Sequence, residues 1–338
     1  MSDERALLKR IASWPDDGRD LALAFVLRTW GSSPRPVGSL LAVSISGAFE
    51  GSVSGGCVEN AVIEEAGDVI RTGISKRLSY GVSNELAWDL DLPCGGTIEI
   101  LLIRAPHPAI AKQLLTSFPV TLITNIDSGE VALCSQSFWS GNLSSNAALR
   151  KISLEALASG ESQLETQGSI EYFLRPFSQP WRLIIIGAVH IAQPLAAMAQ
   201  NAGFEVTIIE PRINYATQAR FEDIKLVHDW PDSALSNLAT DERCAIVTLS
   251  HDPKIDDLAL ITALDSPACY IGALGSIRNH QVRLKRLVEG ASKGADLTRI
   301  RGPIGLDIGG NLPSEIAISI LAEIIATRHG KFIGANTN

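Results

Sequence analysis

The chain is 338 residues long, more than one compact core usually holds, so two domains are expected. Its 46% hydrophobic, 20% charged and 6% aromatic residues match an ordinary globular protein and exclude a disordered or fibrous one. A net charge of −8, from 29 basic and 37 acidic residues, argues against a nucleic-acid surface and leaves anionic ligands to a local pocket.

The N-terminus opens with charge and a short amphipathic pattern (Leu7, Leu8, Ile11), without the apolar core of a signal peptide. Leu21 to Thr29 reads as a buried strand, and Gly38 to Ser46 with Ala48 to Val53 as a strand, a turn at Gly47 and a return strand. Gly55-Gly56-Cys57 follows at once. Val58 to Arg71 carries Val58, Val62, Ala66, Val69 and Ile70 at helical spacing and stops at Gly73. Cys57 therefore lies at a helix N-terminus, where unpaired amides and the helix dipole favour anions and a thiolate. Cys94 sits in a similar setting, before Gly95-Gly96 and a strand over Thr97 to Ile103. Both thiols also fit a plainer description, as small buried residues beside turns.

Helices are expected at Pro108 to Ser117 and Ala147 to Ala158, and strands at Val120 to Thr124, Val131 to Cys134 and Ile170 to Leu174, in a first half without a clear repeat. Two prolines in Arg175-Pro176-Phe177-Ser178-Gln179-Pro180 mark a boundary, giving domains 1–178 and 179–338. From Trp181 the pattern becomes βα alternation: strands at Leu183 to Ile186, Val206 to Ile209, Leu226 to His228, Ala245 to Leu249 and Cys269 to Ile271 alternate with helices, the last over Pro313 to Arg328. The fold class is α/β, an N-terminal mixed α+β domain followed by a Rossmann-like doubly wound parallel sheet.

Gly187-Ala188-Val189-His190 stands where a dinucleotide-binding loop belongs, with Glu210 about twenty residues on at the end of the next strand. That acid reads either as a ribose ligand or as a solvated residue at a strand end. The glycine that lets backbone approach a pyrophosphate is replaced by Val189, which obstructs NAD(P). His190, His251 and Asp252 fall at the carboxyl edge of the sheet; a histidine there serves as acid, base, pyrophosphate donor or weak metal ligand, or caps a helix. The five cysteines, at 57, 94, 134, 244 and 269, are never closer than 25 residues, which is neither a disulfide framework nor a CxxC zinc site. Reduced thiols, no bilayer-length apolar run and a cytoplasmic location are the expectation.

Taken in order, Gly31-Ser32-Ser33-Pro34-Arg35-Pro36-Val37-Gly38, Gly55-Gly56-Cys57-Val58-Glu59, Cys94-Gly95-Gly96-Thr97-Ile98-Glu99, Ile186-Gly187-Ala188-Val189-His190-Ile191-Ala192, Ser250-His251-Asp252, Tyr270-Ile271-Gly272-Ala273-Leu274-Gly275-Ser276 and Gly302-Pro303-Ile304-Gly305-Leu306-Asp307-Ile308-Gly309 resemble the XdhC/CoxI family, accessory proteins of xanthine dehydrogenase and related molybdenum hydroxylases. The resemblance spans residues 20 to 330. It implies a chaperone rather than a classical enzyme, one that binds molybdenum cofactor (molybdopterin), protects it while a cysteine desulfurase installs its sulfido ligand, and hands it to the apo-hydroxylase. The family's glycine loop usually reads Gly-x-Gly-His, so Val189 is a departure. Beside this resemblance, a low-pKa Cys57 or Cys94 is the expected molybdenum contact, with the glycine-flanked helix ends at Gly55 and Gly56 as phosphate donors. Arg35 would add charge to the phosphate, or is a surface residue of a Pro-rich loop. Gly187, His190, Glu210, His251 and Asp252 complete the expected cofactor-binding set. The rival readings are an NAD(P)-dependent oxidoreductase using the C-terminal domain and a scaffold joining desulfurase to hydroxylase. The composition is compatible with a homodimer.

Overall fold

The computed structural model describes residues 7–8, 20–31, 35–56, 58–81, 96–105, 108–144, 146–290 and 294–331. They form two compact units, one ending at Gln179 and the other beginning at Pro180.

In the first unit the apolar run at Leu21–Trp30 becomes β1, the central strand of a five-stranded antiparallel sheet with β2 (Leu40–Ser44), β3 (Phe49–Gly51), β4 (Lys76–Tyr80) and β5 (Thr97–Arg104), ordered β3-β2-β1-β5-β4. Helix α1 (Glu59–Thr72) crosses between β3 and β4. Its stripe of Val62, Ala66, Val69 and Ile70 packs on Ala22, Ala24, Val26, Ile100 and Leu102. After the linking helix α2 (Pro108–Thr116) the same scheme is repeated: β6 (Val120–Asn125), β7 (Val131–Cys134), β8 (Trp139–Gly141), helix α3 (Ala147–Ser159), β9 (Gln163–Gln167) and β10 (Ile170–Phe177), in the order β8-β7-β6-β10-β9.

The sequence reading of a first half without a repeat is thus corrected, because the unit is one βββαββ motif used twice, with identical pairing order in the two copies. Both crossing helices end on a left-handed glycine, Gly73 and Gly160, whose amide returns to the carbonyl four residues back. Nothing in the sequence advertised this, since pairing order is set by backbone hydrogen bonds and the side chains need only be apolar on the buried face. The two sheets pack face to face over a shared core that includes Leu23, Phe25, Leu101 and Ile103 from one and Leu122, Leu133 and Phe173 from the other. The rings of Phe25 and Phe173 meet at 6.0 Å.

The second unit is a six-stranded parallel sheet of β11 (Trp181–Ile186), β12 (Phe204–Ile209), β13 (Lys225–Val227), β14 (Cys244–Thr248), β15 (Tyr270–Ala273) and β16 (Ile300–Arg301), ordered β13-β12-β11-β14-β15-β16. Helices α4 (Ala192–Asn201) and α8 (Pro313–Arg328) cover one face, and α5 (Pro231–Asn237), α6 (Pro253–Leu264) and α7 (Ile277–Gly290) the other. Strand order reverses between β11 and β14, which opens a crevice at their carboxyl ends in folds of this type.

Candidate functional site

In the first unit the glycine-flanked turn before α1 is closed on a carboxylate of its own. Glu59, the first helical residue, is only 6% exposed. It accepts the amides of Val53 (3.3 Å), Ser54 (2.9 Å), Gly55 (3.0 Å) and Gly56 (2.8 Å), together with the hydroxyls of Ser52 (2.7 Å) and Ser54. Burial alone would push the Glu59 carboxyl up; the Ser54 and Ser52 hydroxyls and the Ser54 amide outweigh it and bring the pKa down to about 2. The amides of Gly55 and Gly56, expected to serve a phosphate, are therefore directed at Glu59. The Arg35 side chain joins the same turn, its Nε donating to the Ser52 carbonyl at 3.3 Å. Cys57 and Cys94 lie outside the described residues, although Cys57 directly follows Gly56 in the sequence.

In the second unit the crevice is lined by two loops in contact. Gly187 has φ +100°, and a Cβ placed on it would stand 2.8 Å from the Cα, Cβ and N of Ser250, so only glycine fits. The next amide, Ala188, donates at 3.0 Å to Glu210, which is fully buried. Arg212 grips the same carboxylate from Nε (2.7 Å) and Nη2 (2.8 Å) and lies over the Tyr215 ring at 4.2 Å. Burial opposes ionisation of Glu210, but the Arg212 guanidinium and the Ala188 amide prevail and lower its pKa. Neither the acid nor the first loop amide is thus presented to a ribose or a pyrophosphate.

His190 and His251 are exposed, and His251 takes a left-handed backbone at φ +63°. Asp252 caps α6 by accepting the Lys254 amide at 3.0 Å. Ser250 is tied through its hydroxyl (2.6 Å) and amide (3.3 Å) to the buried Asp256, whose pKa is raised by burial against the pull of Ser250 and Arg283. The structure thus brings Gly187, Glu210 and the Ser250–Asp252 loop to one sheet edge and Arg35 to the Gly55–Gly56 turn. Sequence reasoning named no role for Glu59, Arg212 or Asp256; an acid three residues past Gly56 at a helix start was the available signal. Among the described residues no group of three or more His, Cys, Asp and Glu is placed to hold a metal ion, and no helix is long and apolar enough to cross a membrane.

These features define a two-unit protein in which an antiparallel unit carrying a locked, glycine-flanked turn precedes a Rossmann-type unit whose first loop amide is taken up from within. Residues 14–81 match the model of the XdhC and CoxI family, and residues 183–324 that of the XdhC Rossmann domain. The chain belongs to the XdhC and CoxI family. It is 27% identical over 330 residues to the molybdenum cofactor insertion chaperone PaoD of Escherichia coli K12, covering 96% of this chain and 89% of that one. It is also 27% identical to a probable subunit of xanthine dehydrogenase from Bacillus subtilis 168, covering 93% and 94% of the two chains. A solved structure of a xanthine dehydrogenase from Bacillus halodurans superimposes with a TM-score of 0.80 at 25% identity, over 100% of this chain and 98% of that one.

Proposed function

We propose that this chain is an accessory protein that binds molybdenum cofactor, shelters it while a cysteine desulfurase supplies its sulfido ligand, and delivers it to an apo molybdenum hydroxylase. The observation that carries this reading is the end-to-end likeness to a molybdenum cofactor insertion chaperone. The locked turn is consistent with it. Thiolates suit a soft metal centre, and Cys57, next in the chain after the locked Gly55–Gly56 turn, and Cys94 are the thiols assigned to it in this reading. Glu59 and Arg35 are then the residues that hold the turn. Because the Gly55 and Gly56 amides are directed at Glu59, the phosphate of the cofactor is not assigned to them.

Loading the purified chain with cofactor, separating it by gel filtration and reading the pterin fluorescence of the released ligand tests this. Retention by the wild type and its loss in Cys57→Ala, with circular dichroism unchanged, is the expected result. No retention by the wild type overturns the reading, and equal retention by the variant removes Cys57 from it. The nicotinamide oxidoreductase alternative finds no support in the crevice, where Val189 fills the place of a glycine and Glu210 is already engaged.

A further inference from the structure

At three of the described helix starts a carboxylate takes loop amides. Glu59 does so for Val53 to Gly56, Asp256 for Ser250, and Glu315 for Asn311 (2.9 Å) and Leu312 (3.0 Å). The start of α7, like those of α3 and α4, has no such carboxylate. Its first turn contains no acid, and Ser276, Ile277, Arg278 and Asn279 are all exposed. Ser276 Oγ accepts the Asn279 amide at 3.2 Å, which leaves the amides of Ile277 and Arg278 at the positive end of a 14-residue helix.

Arg283 reaches back toward this turn, the direction in which helical side chains lean. It is 6% exposed, and its Nη2 donates to the Leu274 carbonyl at 2.7 Å. Asp256 forms a long ion pair with the same nitrogen at 4.0 Å, beyond hydrogen-bond reach, and leaves Nε and Nη1 to other partners. Arg283 Nε and Nη1 have no hydrogen-bond partner among the described residues, and with His280 Nδ1 they make three of the six such buried atoms there, all on this one helix. A guanidinium is rarely left so incomplete in a folded interior. Its Nη2 and Nη1 lie 3.7 and 4.0 Å from where a Cβ of Gly275 would be, so at this glycine no side chain separates them from the turn. Helix α7 also carries Arg278, Lys285 and Arg286 in a chain of net charge −8, and Arg286 is paired with Asp257.

We propose that the Leu274–Ser276 turn at the start of α7, with Arg283 beneath it, binds a tetrahedral oxyanion of the phosphate class. Two helix amides and a buried guanidinium with two unbonded nitrogens lie at one turn that carries no acid of its own. The site does not depend on cofactor binding in the first unit, and either can fail without the other.

The test is a calorimetric titration of the full chain with inorganic phosphate and, separately, with phenyl phosphate, against chloride at matched ionic strength. Ser276→Asp keeps a good helix cap at an exposed position while placing a carboxylate on the amides, as Glu59 and Glu315 do elsewhere. Saturable binding by the wild type, weakened about tenfold or more in Ser276→Asp and in Arg283→Lys, is expected. Binding of both probes identifies the phosphate of a larger ligand, and binding of inorganic phosphate alone identifies the free ion; each supports the site. No binding beyond chloride, or equal binding by wild type and Ser276→Asp, overturns it. Ser276→Asp decides the matter even if the Arg283 variant does not fold.

Discussion

The Glu210 carboxylate accepts the Ala188 amide at 3.0 Å, across the mouth of the crevice where a Rossmann unit would hold a pyrophosphate. A nucleotide would have to displace both this bond and the bidentate grip of Arg212. Titration of the wild type with NADH or NADPH, followed by fluorescence transfer, is expected to stay flat to millimolar concentration. Micromolar binding of either would refute this account of the crevice. Glu210→Gln should lower stability by about 1–3 kcal/mol, read from urea unfolding, because Arg212 and the Ala188 amide lose a charged acceptor in a buried place.

Glu59 gives a prediction with a defined sign. Its folded pKa of about 2 lies below the ordinary 4.5, so its contribution is complete above about pH 4.5 and fades as pH falls from there toward 2. Glu59→Gln should destabilise the first unit by roughly 2–4 kcal/mol at pH 7, since an amide cannot satisfy four backbone donors and two hydroxyls. The gap between variant and wild type in urea midpoint should narrow between pH 4.5 and pH 3. A gap that stays constant over that range would show that the carboxylate charge is not what holds the turn.

The remaining thiols are predicted to be inert. Burial raises Cys134 to about 11, Cys244 to about 12 and Cys269 to about 11. Their alkylation by iodoacetamide at pH 7.5 should be slower by about 100-fold or more than in urea, because the thiolate is the reacting form. Mass spectrometry of the labelled peptides is the measurement, and rapid native labelling of any of the three would contradict the packing described.

Gly187→Ala should cost about 2 kcal/mol or more, a combination of a left-handed backbone and a contact of 2.8 Å with Ser250 that neither loop can relieve alone. Thermal unfolding checks it. A variant as stable as wild type would mean that the loops separate easily.

Much of the layout was legible because apolar periodicity reports burial. The closing helix over Pro313–Arg328, the stop of α1 at Gly73 and the parallel sheet all follow from it. The edge strands β4 and β9 were not visible, since Lys-Arg-Leu-Ser-Tyr and Gln-Leu-Glu-Thr-Gln are half polar and carry no apolar run. At the site the residue types were legible and their partners were not. Gly55, Gly56 and Glu210 look like ligand groups in one dimension, and only the folded loops show that their hydrogen bonds are made within the chain. Arg283 escaped notice because a cation on a strongly amphipathic helix reads as solvent-facing, whereas this one is buried.

The doubled arrangement of the N-terminal unit has a practical corollary. Since Phe25 and Phe173 belong to different copies yet fill one interior, a fragment severed near Thr116 would carry a bare greasy flank and aggregate, and each copy serves as the other's lid. Splicing or tagging experiments therefore have a natural joint at Gln179–Pro180 and none at the seam of the duplication.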